Sequence, residues 1–539
     1  YSTDYPMNMT NSSRSVPFGL MDCKGQGLYV GFHQTTDEQM VQFTFELKPG
    51  YGYTDATTFG SWPDESMLDG KPAHMEFSCV HFPFCAPGER YRLEPIVLEP
   101  YQGTWQYGAD CYKRWRRTWM TDVRPPAWAQ GVHSWQQYQI NSSEDRMRMS
   151  YEDIVQLGED CVRHGVKVLQ ITGWNSGGQD RDYPRHDIDP RLGTMEQFQA
   201  AIRRVQEMGV KVVLFTKYTW ADQSSDWFNE ELHKYASRDP YGHYHVISGY
   251  RYHTATQMAD INTRRGIPLC FNSPELRDII LHEYEKSFEL GADGMLYDEF
   301  HFHGRMSGDL FYCFSCEHDH RSPANLYAGD HPLGEAFLRI KERRNPEFLL
   351  AGEGVRELQY RYMTSSYFRV TRHHFPMQRY IAPEAQMISG IIGFQDRIPI
   401  NQCLMYRYVM CYEPYHFKGR LDDFKGPLAY GRQVDALRER YSEYLWEAEY
   451  RDQLGARVTA EGKPHEVYSV FVNPVTSKRA VVVCNHRADR AIEIDVELEE
   501  SGGRAFRLVS PEQPEACESE GRCTVAPMST VVLLEGRPH

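Results

Sequence analysis

Between residues 128 and 446, short apolar runs alternate with stretches whose apolar positions recur at helical spacing. Val166–Thr172, Val210–Thr216, Gly294–Asp298 and Glu347–Glu353 have the length and continuous apolarity of strands buried on both faces. The stretches between them carry helix punctuation. Ser150 to Asp153 opens a helix that ends at Gly165, and Thr194 with Gln197 has capping-box spacing ahead of a helix that stops at Gly209. Ser273 followed by Pro274 starts another, closing at Gly291. Further helices are expected over 331–344, from Arg356 and over 428–446, with weaker strands over 367–370, 387–394 and 408–412. Such alternation means a parallel sheet, either open and doubly wound or closed into a (β/α)8 barrel. No Gly-rich phosphate loop follows a strand, so the open nucleotide-binding sheet lacks its usual sign. About eight units in roughly 320 residues suit a TIM barrel with long loops.

Both flanks read as β-structure. Runs at 27–32, 40–45, 75–80 and 90–98 carry β-formers separated by Gly, Pro and Asp clusters, and a helix is expected from Trp105 to Trp119. From Ala456 the runs 467–472, 480–484, 492–498, 506–509 and 530–534 suggest a small sandwich. The expected organisation is an N-terminal β-sandwich (1–122), the barrel (123–455) and a C-terminal β-sandwich (456–539). The chain opens at Tyr1 without a basic or apolar leader, so either a leader has been removed or upstream sequence is missing, and the first domain is expected to be incomplete.

Composition narrows the partners. The net charge of −15 comes with no dense Lys/Arg run, which argues against a nucleic-acid partner or an anionic membrane surface. No run of 18 apolar residues occurs, so no transmembrane helix is expected. The 13 cysteines are odd in number and scattered, unlike a disulfide scaffold. Compartment stays open between secreted or periplasmic and cytoplasmic. Aromatic residues reach 13%; core packing can absorb many of them, and flat rings are also what a sugar-binding cleft uses. Trp174, Tyr183, Tyr218, Trp220, Tyr297 and Tyr412 all fall at or near expected strand ends.

In a (β/α)8 barrel the chemistry sits at the C-terminal ends of the strands. Those ends read Trp174-Asn175, Lys217-Tyr218, Asp298-Glu299 and Gly352-Glu353, with Asp396 after the seventh run. Carboxylates at successive strand ends suit glycosidic bond cleavage, where one group protonates the leaving oxygen and another attacks the anomeric carbon or activates water. Adjacent strand residues face opposite ways, so at least one of Asp298 and Glu299 should face the mouth. Glu353 is a second catalytic candidate, with a structural ion pair to Arg356 as the alternative. Trp174 is a stacking platform or a core ring, and Lys217 is a hydroxyl donor near the nucleophile or a rim charge. Asn175, Tyr218, His301, His318, His320, Arg321 and Asp396 are further substrate-binding candidates. His416 joins them, in a segment where interdomain packing is the alternative.

Gly291-Ala-Asp-Gly-Met-Leu-Tyr-Asp298-Glu, followed one strand later by Leu349-Leu-Ala-Gly-Glu353, resembles the barrel α-glycosidases of the α-amylase-like and endo-α-N-acetylgalactosaminidase-like groups. The resemblance implies that Asp298 is the nucleophile, Glu353 the acid/base and Asp396 a third acid steadying the sugar. Asp189 to Gly193 and the helix and strand after it are also similar to the α-galactosidase-like clan, where the acid/base comes from strand six instead. The whole is most similar to a glycosidase-like barrel family of unassigned function. The implied activity is retaining hydrolysis of an α-linked oligo- or polysaccharide without a cofactor. Two rivals stand beside it. The loop after strand four holds His301, His303, Cys313-Phe-Ser-Cys316, His318 and His320, which could carry zinc in a metal-dependent hydrolase. Its second ligand arm is missing from the sequence, so no metal is assigned, and a Cys313–Cys316 disulfide is a further option. The other rival is a non-catalytic carbohydrate-binding barrel.

Overall fold

The computed structural model describes residues 2–5, 16–48, 74–142, 146–246, 266–300, 303, 312–499 and 505–536. At its centre eight parallel strands close a barrel. They are β1 (Ser134–Gln139), β2 (Val168–Thr172), β3 (Lys211–Thr216), β4 (Gly294–Tyr297), β5 (Leu349–Glu353), β6 (Ser365–Phe368), β7 (Gln386–Ile391) and β8 (Val409–Tyr412). β8 pairs with β1, which removes both sheet edges. The fold class expected from the sequence is the one observed.

Local signals explain most of the helices. Thr194 and Gln197 form the reciprocal capping box ahead of Met195–Glu207, and Ser273 caps Pro274–Glu289 with proline in its first turn. The helix expected from Arg356 is instead a short 3-10 turn, Glu357–Arg361. The last expected helix divides into Lys425–Arg440 and Ser442–Leu445. β1 is the strand the sequence hides, because its six residues Ser-Trp-Gln-Gln-Tyr-Gln are all buried although half of them are glutamine.

Period-two alternation sorts the barrel side chains into two cores. Trp135, Val168, Val213, Phe215, Leu296, Leu349, Ala351, Tyr367, Ile388, Val409 and Cys411 fill the interior. Leu169, Ile171, Leu214, Met295, Tyr297, Phe368, Met387 and Met410 point outward onto the helices. This parity decides what reaches the mouth.

Antiparallel sheets flank the barrel. On the N-terminal side Phe18–Cys23, Gln26–Phe32 and Ile96–Gln102 form one sheet, and Ser2–Tyr5, Val41–Lys48 and His74–His81 another. The helix Trp105–Arg116 packs its Tyr112 against Phe18, ring centroids 5.2 Å apart. On the C-terminal side a six-stranded and a four-stranded sheet enclose a core of Val458, Val470, Val481, Ile494, Val496 and Leu533. No helix among the described residues is long and apolar enough to cross a membrane.

Candidate functional site

Following the inward parity of five strands to the last residue or one step past it brings five charged side chains to the C-terminal mouth. They are Lys217 above Phe215, Asp298 above Leu296, Glu353 above Ala351, Arg369 above Tyr367 and Glu413 above Cys411. Gly390, the inward position of β7, completes the ring by leaving room. A Cβ there would sit 2.5 Å from the Glu413 Oε1 and 3.0 Å from the Arg369 Cγ.

Lys217 is the hub. Its side chain is 2% exposed, and its Nζ lies 2.7 Å from Asp180 Oδ1, 3.2 Å from Asp298 Oδ2 and 2.9 Å from Glu299 Oε2. The Trp220 ring covers the ammonium at 4.1 Å, and Tyr183 stands 6.0 Å away. The Lys217 backbone N–H donates to His186 Nε2 at 3.1 Å, while His186 Nδ1 donates to the Pro184 carbonyl at 2.7 Å. Burial pushes that imidazole down to about 3, so it stays neutral and acts as a positioning group.

Asp298 and Glu353 end adjacent strands, and a side-chain hydrogen bond joins them. Burial and the charges of Asp298 and Glu299 hold Glu353 well above the usual carboxylate range. Burial also raises Asp298, against the pull of Lys217. Glu299 is pushed up to about 8 by burial, with Lys217 pulling down and Asp298 and Asp180 pushing up. One ammonium cannot neutralise this many carboxyls, so protons are retained within the cluster. Of the two, Glu353 is the more strongly raised, and Asp298 is the one beside Lys217.

Both members of the Asp298-Glu299 pair reach the lysine, where strict alternation would send one away. The cause is a break in the strand, since Glu299 takes the left-handed φ of 48° and its N–H donates to Glu353 Oε2 at 3.1 Å. Asp180 and Asp182 after β2, and Tyr415, His416 and Phe417 after β8, also have left-handed backbone. Within the described part of the barrel such non-glycine positions lie at this end, apart from Arg407 ahead of β8.

Other sequence candidates lie elsewhere. Trp174 is fully buried, its indole N–H donating to the Phe215 carbonyl at 2.8 Å. The turn at Gly173, whose Cβ would fall 1.9 Å from the Asn141 carbonyl oxygen, swings that ring onto the helices. Asn175 is buried too, and braces its own loop by donating to the Gly178 and Arg181 carbonyls. Tyr218, Tyr297 and Tyr412 carry outward parity and belong to the outer core, so the aromatic residues at strand ends are core rings and not docking platforms. Of that group only Tyr183 and Trp220 adjoin the charged cluster. Asp396 is exposed and accepts the Ile398 N–H at 2.9 Å at the start of helix Ile398–Tyr406, with no hydrogen bond or ion pair to the carboxylate cluster among the described residues. Arg356 is fully buried on Asp37 at 2.7 Å, not on Glu353. Arg321 grips Glu89 and the Pro83 and Phe84 carbonyls. His416 is half-buried on the rim with its ring 4.9 Å from Phe417. His301 lies outside the described residues.

Three further residues join the cluster. Asp180 lies in the polar, Gly-rich loop after β2 and reaches the Lys217 ammonium. Arg369 and Glu413 form a 2.7 Å ion pair with Glu413 fully buried, and the Tyr367 hydroxyl donates to the same carboxylate. The available signal was the inward parity of β6 and β8, which a misplaced sixth strand obscured.

His318 and His320 do not reach the carboxylates. With Cys270 and Cys313 they form the single group of metal-ligating type found among the described residues. All thirteen cysteines are free thiols, and Cys316 is exposed beside Ser322, so the Cys313–Cys316 bridge is not formed.

Solved structures share this architecture at low identity. The α-N-acetylgalactosaminidase NagBb of Bifidobacterium bifidum matches with a TM-score of 0.60 and 11% identity over 89% of this chain and 75% of that one. Isomaltulose synthase PalI from Klebsiella sp. LX3 gives 0.51 and 12%, over 76% and 99%. The maltogenic α-amylase AmyB of Thermotoga neapolitana gives 0.50 and 11%, over 76% and 99%. The resemblance to glycoside hydrolase barrels is therefore one of fold. No curated protein matches the sequence. One family model does, over residues 94–411, more than half of the 539 residues, and the chain belongs to that family, described as a domain of unknown function (DUF6259).

Proposed function

We propose that the chain is a retaining glycoside hydrolase acting on an α-linked glycan, with Asp298 as nucleophile and Glu353 as general acid/base. The observation that supports this reading is the placement of the two carboxyls at neighbouring strand ends, Asp298 beside Lys217 and Glu353 held well above the usual carboxylate range by burial and the neighbouring charges. An inverting pair leaves roughly 6.5–9.5 Å for a water between its carboxyls, whereas a retaining pair stands about 5–5.5 Å apart. Groups close enough to share a hydrogen bond favour the retaining case. The similar folds that are by name an α-N-acetylgalactosaminidase and an α-amylase support an α-linked substrate.

In the first step an Asp298 oxygen attacks the anomeric carbon while Glu353 gives its proton to the departing glycosidic oxygen. The bond to the aglycone breaks and a glycosyl ester on Asp298 forms. Glu353, now a carboxylate, takes a proton from water as that water attacks the anomeric carbon, and Asp298 leaves ionised. Lys217 stabilises the Asp298 charge before attack and after release. Arg369, fixed by Glu413 and Tyr367, offsets part of the charge on Glu353 after proton transfer.

A panel of chromogenic α- and β-glycosides, with the anomer of the first-formed product read by NMR, tests the assignment. Turnover of an α-glycoside with retention is expected. Asp298→Asn should lower turnover by at least ~10^4-fold. Glu353→Gln should cost about 10^2- to 10^4-fold, and less with activated leaving groups that need no proton. An inverted product, or near-wild-type rates in either variant, would remove the assigned roles, and tight glycan binding without turnover would mark a binding barrel.

A further inference from the structure

We infer that Cys270, Cys313, His318 and His320 bind one zinc ion as a closed structural site. The inference is independent of the glycosidase reading. The four donor atoms lie within 4.8 Å of one another. His318 Nδ1 and His320 Nε2 are 3.3 Å apart, and each faces one sulfur at 3.4 Å, Cys313 Sγ for the former and Cys270 Sγ for the latter. A tetrahedral zinc with bonds of about 2.3 Å to sulfur and about 2.05 Å to nitrogen separates its donors by about 3.3 Å for two nitrogens and about 3.6 Å for a nitrogen and a sulfur. Three of the six edges of that tetrahedron are thus already close to their zinc-bound lengths, and the other three lie within 4.8 Å.

The outer hydrogen bonds point the same way. The far nitrogen of His318, Nε2, lies 2.9 Å from the Lys234 carbonyl, and the far nitrogen of His320, Nδ1, lies 2.9 Å from the Arg321 carbonyl. A carbonyl accepts only, so each of these nitrogens carries the proton. The other nitrogen of each ring turns a lone pair into the cluster. Two lone pairs facing each other at 3.3 Å repel unless a cation stands between them, and a backbone carbonyl fixing the tautomer is the usual support of a metal-bound histidine. Asn272 Nδ2 adds a donor toward Cys270 Sγ at 3.8 Å. Two thiolates and two imidazoles in a tetrahedron select zinc over hard cations.

The sequence concealed the site because its fourth ligand is not in the Cys-x2-Cys pair. Cys316 points away, and Cys270 arrives from the segment ahead of helix Pro274–Glu289. Four protein ligands leave no open position, which separates this site from a metal-dependent hydrolase. What it does is tie the walls after β3 and β4 together. The Cys270 N–H donates to the Tyr235 carbonyl, and the neighbouring Leu269 N–H donates to the Thr219 carbonyl. Thr219 Oγ1 in turn donates to the Glu299 carbonyl at 2.8 Å, so the zinc braces the wall behind the carboxylate cluster.

Elemental analysis of the full, tag-free chain is the test, and it should find about one zinc per chain that survives dialysis. Cys270→Ser and Cys313→Ser should each lose it, while Cys316→Ser should keep it. Should the serine variants fail to fold, wild-type protein titrated with p-hydroxymercuribenzoate should release its zinc to a chromogenic chelator as thiols are blocked. Cobalt substituted for zinc should show tetrahedral ligand-field and thiolate charge-transfer absorption. Zinc below about a tenth per chain, iron in its place, or retention of zinc in both serine variants would overturn the assignment. So would two fewer free thiols than the thirteen cysteines on non-reducing denaturation, the sign of a Cys270–Cys313 disulfide.

Discussion

Two buried charge clusters in this molecule each set aspartate against a basic side chain and do opposite things. At the junction of the N-terminal sheets and the barrel, Asp37 is fully buried with Arg356 Nη2 at 2.7 Å, His331 Nε2 at 2.8 Å and Gln34 Nε2 at 3.3 Å. One carboxylate meets a guanidinium, an imidazole and an amide, and although burial pushes its pKa up, Arg356 and His331 together bring the Asp37 carboxyl well below the usual range. At the barrel mouth the count is reversed, with Asp180, Asp298 and Glu299 crowded on one ammonium and Glu353 alongside. There Asp298, Glu299 and Glu353 are raised and share protons. A buried charge with its full complement of partners is a staple, whereas a buried excess of one sign keeps protons poised for transfer.

The larger of the expected effects lies at the staple. Asp37→Asn removes the carboxylate that faces the buried Arg356 guanidinium at 2.7 Å, a loss of about 3–5 kcal/mol, read as a Tm lower by several degrees at pH 7. Because the folded pKa of Asp37 is depressed, its contribution is fully present above the unfolded value of about 3.9 and fades as pH falls toward the folded one. The Tm gap between wild type and Asp37→Asn should therefore narrow below about pH 4. An unchanged Tm at pH 7 would place the two clusters in one class.

At the mouth the corresponding change shows in the pH profile. Under the proposed mechanism turnover needs Asp298 ionised and Glu353 protonated, so kcat/KM should be bell-shaped, with an acid limb above the ordinary aspartate range because burial raises Asp298. Lys217→Met removes the charge that favours ionised Asp298. The acid limb should move up by about 1–3 pH units, narrowing the bell toward its alkaline side, while the fold persists because the carboxyls can take up protons. Lys217→Arg should restore part of the limb. A profile that does not move would make Lys217 a packing residue.

How far these clusters can be read from sequence depends on what marks each position. β2 to β5 announce themselves because strands buried on both faces are continuously apolar, and Asp298 and Glu353 follow as the first charges after such runs. β1 and β6 do not, since Gln136, Gln137, Gln139, Ser365 and Ser366 are buried through partners such as Thr172 and Gln386 that only the closed barrel supplies. The slip at β6 also hid Arg369. Parity explains the false platforms, because Tyr218, Tyr297 and Tyr412 sit one residue out of phase with the inward column. Neither the Asp37–Arg356 pair nor the Cys270 ligand leaves a local trace, for both join segments distant in sequence.

Asp396 provides the smallest and most discriminating contrast, since resemblance made it a third acid and the structure makes it a turn residue. It is exposed, and its one backbone partner is the Ile398 N–H at 2.9 Å, at the entrance of a helix whose remaining residues are mostly buried. Asp396→Ala should therefore cost about 1 kcal/mol of stability, the net worth of one hydrogen bond near the surface, and leave kcat within about twofold. A residue steadying the sugar in the transition state would instead lose orders of magnitude in kcat with little change in Tm. The ratio of the two effects, measured on one variant by steady-state kinetics and thermal denaturation, decides whether the mouth cluster ends at Arg369 and Glu413 or extends to the loop after β7.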